Sequence, residues 1–146
     1  MREIADDVFR GNSSITQVVI QNGIQRIGLS AFSGMQNLNR VTLPNSIEFI
    51  GYRAFAGNRS LRSINLPANS SLIIGVDVFS GLPELNELNI PNNFRARFYH
   101  TNLDDIHDIP MSREHNYMDS SFSTSTQLPL RTRQRLRDIG YSGIHM

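Results

Sequence analysis

The residues in this chain best equipped for chemistry gather in its last third. His100, His107 and His115 stand near Asp104, Asp105 and Asp108, side chains that could together hold a divalent cation. The histidines are spaced by seven and eight residues, which matches no compact ligand motif, and no cysteine is present to complete a set. We expect no metal centre. Further on, Arg131, Arg133, Arg135 and Arg137 alternate through LPLRTRQRLRDIG. Guanidinium groups grip carboxylates and phosphates through planar, paired hydrogen bonds, so this run is a candidate docking segment. Four arginines with few aromatics and a formal net charge of +1 make a poor nucleic-acid footprint. There is no G-x-S-x-G elbow, no H-E-x-x-H and no phosphate-cradling glycine loop, and a cysteine nucleophile is excluded outright. The sequence therefore predicts a protein without catalysis and without a cofactor.

Ahead of these residues the chain is a repeat. Phe9, Phe32, Phe55 and Phe79 recur at intervals of 23, 23 and 24, and each is followed two residues later by glycine: Gly11, Gly34, Gly57 and Gly81. Isoleucine precedes each phenylalanine by five, at Ile4, Ile27, Ile50 and Ile74. Apolar columns follow at Ile15, Leu38, Leu61 and Leu85; at Val18, Val41, Ile64 and Leu88; and at Ile20, Leu43, Leu66 and Ile90. Self-similarity at a period in this range marks a stacked-repeat architecture.

The last two columns are two residues apart, which is strand spacing, and proline closes three of the four copies at Pro44, Pro67 and Pro91. Each copy then contributes one short strand to a narrow parallel sheet, with every apolar column stacked on its equivalent in the next copy. Residues alternating with the core point outward: Gln17 and Val19, Arg40 and Thr42, Ser63 and Asn65, Glu87 and Asn89. A neighbouring column adds Thr16, Asn39, Arg62 and Asn86, so that Arg40 and Arg62 form a modest positive patch. An extra residue near Ala68–Leu72 predicts a bulge in the third interval.

The copies IGLSAFSGMQNLNRVTLPNSI and IGYRAFAGNRSLRSINLPANS resemble the BspA-like leucine-rich repeats. Where that family often carries cysteine, this chain has Asn12, Met35, Asn58 and Leu82. The resemblance implies an α/β-type solenoid. This would be a short right-handed leucine-rich repeat array with one short parallel strand per repeat, a C-terminal cap, and a flexible tail bearing a short helix. It also implies protein recognition on a concave sheet face and supplies no catalytic residues. The expected partner-binding residues are Gln17, Val19, Arg40, Thr42, Arg62, Ser63, Asn65, Glu87 and Asn89, with Arg131, Arg133, Arg135 and Arg137 as tail contacts.

The expected organisation is an array over 1–93, a cap over 94–110, a polar linker over 111–127 and an arginine-rich tail over 128–146. In the tail, Thr126 is the expected N-cap of the helix, Pro129 suits its first turn and Gly140 its end. The array starts in mid-repeat at Ile4, so its first coil is expected to expose apolar surface. No apolar run is long enough to span a bilayer and no signal-peptide core begins the chain, so the sequence reads as soluble, in the cytoplasm or delivered into a host cytosol. All 14 basic residues are arginine. Arginine cannot accept ubiquitin, so a lysine-free chain suits an effector or adaptor working among ubiquitin-ligase components. A truncated surface or adhesion repeat is the remaining reading.

Overall fold

A 23-residue copy is too short to bury its own apolar face, so its stability depends on the copies beside it. The computed structural model describes residues 2–69, 71–98, 122 and 124–139 and shows how that dependence is met. The strands, in chain order, are β1 (Glu3–Ile4), β2 (Gln17–Val19), β3 (Arg26–Ile27), β4 (Arg40–Thr42) and β5 (Phe49–Ile50). They continue with β6 (Ser63–Asn65), β7 (Leu72–Ile74), β8 (Glu87–Asn89) and β9 (Ala96–Phe98), and one helix, α1 (Leu130–Asp138), follows. The even strands form a four-stranded sheet in the order β2-β4-β6-β8, all parallel, with Val18, Val41, Ile64 and Leu88 in register.

The odd strands form a second parallel sheet, in the order β1-β3-β5-β7-β9, with Ile4, Ile27, Ile50 and Ile74 in register. Each copy thus contributes the expected strand and a second one ahead of the phenylalanine. The isoleucine column lies on this second ladder. Glycine directly follows three of the four isoleucines, at Gly28, Gly51 and Gly75, because neighbouring backbones meet there: a Cβ on Gly51 would lie 2.9 Å from the Leu29 nitrogen. The extra residue of the third interval falls in the turn before β7. There the Asn69 amide donates to the carbonyls of Asn45 and Ile47 at 3.0 and 2.7 Å.

The core fills the space between the two sheets and the turn that joins them. Ile27, Leu38, Val41, Ile50, Leu61 and Ile64 are among its fully buried members. Along the turn runs a column of rings: Phe9 on Phe32, Phe32 on Phe55, Phe55 on Phe79, with centroids 5.3, 5.2 and 6.0 Å apart and near-parallel planes. The rings can stack because the turn backbone is itself a ladder, with Phe9, Phe32 and Phe55 donating N–H to the carbonyls of Ala31, Ala54 and Val78. The column continues to a fifth ring, Phe122, 5.0 Å from Phe79.

That fifth ring overturns the reading of 111–127 as a linker throughout. Phe122, Ser125 and Leu128 are buried and repeat the turn made by Phe55, Asn58 and Leu61. Leu128 donates N–H to the Ser125 carbonyl as Leu61 does to that of Asn58. Thr124 and Ser125 bind the backbone of Leu82 through Leu82 N–H to Oγ1, 3.1 Å, and Oγ–H to the Leu82 carbonyl, 2.9 Å. With 124–128 committed to this turn, Thr126 cannot cap the helix. Its N-cap is Pro129, without a side-chain capping bond. The array does not end at 93 as expected: Phe94 is buried, and β9 pairs in parallel with β7, Ile74 opposite Phe98, so the start of the segment 94–110 adds a fifth strand to the second sheet. The rest of that segment, with His100, His107 and the three aspartates, lies outside the described residues, as does His115.

Candidate functional site

The outward columns predicted from alternation lie on the exposed face of the four-stranded sheet. Gln17, Arg40, Ser63 and Glu87 occupy one register line across β2, β4, β6 and β8, and Val19, Thr42, Asn65 and Asn89 occupy another. Neighbouring rungs of a parallel sheet are about 4.8 Å apart, so each line presents side chains at a fixed short interval. Gln17, Arg40, Glu87 and Asn89 are exposed, and Val19 leaves 61% of its surface open.

Other members are turned to their neighbours. Ser63 is buried, and its hydroxyl donates to Glu87 Oε1 at 2.8 Å. The Asn65 amide donates to Thr42 Oγ1 at 3.2 Å, and the Asn89 amide donates to Asn65 Oδ1. These side chains form a polar ladder across three rungs, and Ser63 is a support for Glu87 more than a contact surface.

Beside these lines an open groove runs between the strands and the turns that precede them. Its walls are Thr16, Asn37, Asn39, Arg40, Ser60 and Arg62, with Ser63 in its floor. Arg40 and Arg62 are both exposed and sit on adjacent coils. Among the described residues the ion pairs are Arg10 with Asp7 and Arg26 with Glu3, and neither groove arginine is engaged in one. No group of three or more His, Asp or Glu able to hold a metal lies among the described residues.

The four tail arginines separate in the structure. Arg131 and Arg137 are exposed on α1. Arg135 is half-buried and donates from Nη2 to the Pro91 carbonyl at 2.6 Å, while Leu136 is fully buried beside it. Arg133 is half-buried as well. The tail therefore lies against the last described coil, and Arg135 serves as its anchor. Arginines in the last turn of α1 also face the negative end of its dipole.

At the opposite end the first coil is open. Val8 and Phe9 are exposed at 50% and 36%, and an apolar hollow is lined by Ile4, Phe9, Ile15, Val18, Ile24 and Phe32. No helix among the described residues is long and apolar enough to cross a membrane.

Two features escaped the sequence reading. Asn58, at the family's cysteine position, is fully buried: its Oδ1 accepts from Met35 N–H at 2.7 Å, and its amide donates to the Phe32 and Phe55 carbonyls. The fifth turn had a signal in F-S-T-S-T-Q-L, the same spacing as F-A-G-N-R-S-L, displaced out of period.

The profile of the BspA type leucine-rich repeat region matches residues 2–129 in six copies. No curated protein matches the chain significantly. Among solved structures, a leucine-rich repeat protein of T. pallidum is 19% identical with a TM-score of 0.41, over 97% of this chain and 78% of that one. A leucine-rich repeat protein from Bacteroides ovatus is 19% identical with a TM-score of 0.34, over 68% of this chain and 37% of that one.

Proposed function

Because the chain belongs to the BspA-type leucine-rich repeat family, we propose that it is a protein-recognition module without catalysis of its own. It engages a partner through the exposed face of the four-stranded sheet. The observation that carries this reading is the pair of register lines, which hold Gln17, Arg40, Glu87 and Asn89 on rungs fixed by a continuous backbone ladder. Side chains on so rigid a frame lose little further freedom on binding, which favours affinity and specificity. Arg131 and Arg137, exposed on α1, supply a second contact.

The test is capture of partners from a cell lysate on the immobilised full chain, comparing the parent with Arg40→Glu, Arg62→Glu and Glu87→Lys. Loss of a captured protein at an unchanged melting temperature supports the sheet face. Capture that survives all three places recognition elsewhere, and Arg131→Glu with Arg137→Glu then asks whether α1 holds it.

A second reading rests on the lysine-free composition. A protein acting beside ubiquitin ligases escapes modification if it offers no lysine. Arg59 is exposed, so Arg59→Lys should shorten the lifetime of the chain in a eukaryotic cell. Unchanged turnover sinks the ubiquitin reading and leaves the recognition module untouched.

A further inference from the structure

We propose that the groove at Arg40 and Arg62 takes the carboxylates of an acidic segment of a partner protein. This rests on the reading of the sheet face as a docking surface and names the chemistry that the surface selects.

Two guanidinium groups stand on adjacent coils in one open groove, both exposed and neither in an ion pair among the described residues. Other charges of the protein are engaged: Arg26 pairs with Glu3 on the five-stranded sheet, and on this face Glu87 accepts the Ser63 hydroxyl. Arg40 shares a register line with Glu87, one rung beyond Ser63, yet Glu87 is held by Ser63 rather than by Arg40. The nearest acid on the line is thus tied back while the arginines stay available. Each can make a paired, planar contact with one carboxylate. Thr16, Asn39 and Ser60 line the same groove and add neutral hydrogen-bonding groups around the charged pair.

The extent of the positive surface selects against a polyanion. Towards the first coil the two columns end in Gln17 and Thr16, both neutral, and towards the fourth they end in Glu87 and Asn86. Positive charge therefore covers only two rungs, a span of about 5–10 Å at the spacing of a parallel sheet. An extended peptide sets alternate side chains about 7 Å apart, so two nearby acidic residues reach both arginines. A nucleic-acid backbone would run on into the Glu87 carboxylate and meet repulsion.

Fluorescence anisotropy of the full chain with a labelled Gly-Asp-Glu-Asp-Glu-Gly peptide tests the inference. The amide counterpart Gly-Asn-Gln-Asn-Gln-Gly and a single-stranded deoxythymidine oligonucleotide serve as the other probes. The acidic peptide should bind at least ten times more tightly than its amide counterpart and lose affinity as salt rises. Arg40→Gln with Arg62→Gln should weaken it at least tenfold at an unchanged melting temperature. Equal binding of the amide peptide, indifference to the double substitution, or tighter arginine-dependent binding of the oligonucleotide overturns the proposal. If the acidic peptide fails while Arg40→Glu and Arg62→Glu still abolish partner capture, the acidic ligand is wrong and the docking face stands. If capture persists through those two and through Glu87→Lys, both readings fall.

Discussion

Replacing Phe55 by alanine removes the middle ring of the phenylalanine column. Phe55 is fully buried, with Phe32 on one side at 5.2 Å and 2° and Phe79 on the other at 6.0 Å and 6°. Withdrawing a buried phenylalanine forfeits about 1.5–3 kcal/mol of transfer free energy. Each aromatic contact adds about 0.5–1.5 kcal/mol. The sum agrees with the roughly 3–5 kcal/mol seen when phenylalanine is cut to alanine in a packed core. Phe9 has one neighbour, Phe32, and keeps 36% of its surface exposed, so Phe9→Ala should cost only about 1–2 kcal/mol. The chain has no tryptophan, so urea unfolding is best followed by far-ultraviolet circular dichroism at 25 °C. A domain of this size holds about 5–15 kcal/mol in total, so Phe55→Ala should shift the midpoint by a large fraction of its value. Equal losses at the two sites would refute a column whose rungs are held from both sides in the middle and from one side at the open end.

Asn58→Ala should cost about 3 kcal/mol by stranding the Met35 N–H and the Phe32 and Phe55 carbonyls at a fully buried site. Asn58→Leu refills the volume without the hydrogen bonds, so recovery of stability by leucine in the same urea titration would show that packing dominates. Gly51→Ala should cost about 1–3 kcal/mol, because its Cβ meets rigid backbone at 2.9 Å. Gly34→Ala has nothing within 4 Å and only a positive φ to oppose it, so about 1 kcal/mol is expected from thermal unfolding. Arg135→Ala removes the bond to the Pro91 carbonyl and should raise amide hydrogen exchange across residues 130–138 while leaving β2 to β8 protected. Faster exchange throughout the array would instead make the helix a cooperative part of the repeats.

How far the sequence discloses this molecule depends on how many copies repeat each signal. The Phe, Gly and apolar columns are written four times in register, so the solenoid and the outward lines of the four-stranded sheet were legible. The second sheet was not, because β1, β3 and β5 are two residues long and cannot show an alternation. Phe122 was missed for a different reason. It follows Phe79 by 43 residues instead of one period, so only the local spacing of Phe122, Ser125 and Leu128 marks it as a rung. Asn58 looked like a loss of the family's usual residue. A short polar side chain at a buried turn is instead a bridge between coils, which composition alone does not reveal. On the candidate face, alternation gave the side of the sheet but could not separate exposed Arg40 from buried Ser63, since that difference lies in the hydroxyl's partner on the next rung.

The same division decides what the face is free to become. Stability here comes from residues that recur: Phe55 stacks because Phe32 and Phe79 do, and Ile64 is buried because Val41 and Leu88 flank it in register. Arg40 and Arg62 take no part in that mutual support, being exposed and outside every ion pair among the described residues. Substituting exposed residues of this kind usually changes stability by no more than about 0.5 kcal/mol. Losing a charge-assisted contact to a ligand, by contrast, costs about 1.5–3 kcal/mol of binding. A change at either arginine should therefore alter what the protein binds long before it alters how the protein folds. Ser63 and Asn65 are the counter-case, because their side chains are spent on Glu87 and Thr42, and replacing them would disturb the face through its own neighbours.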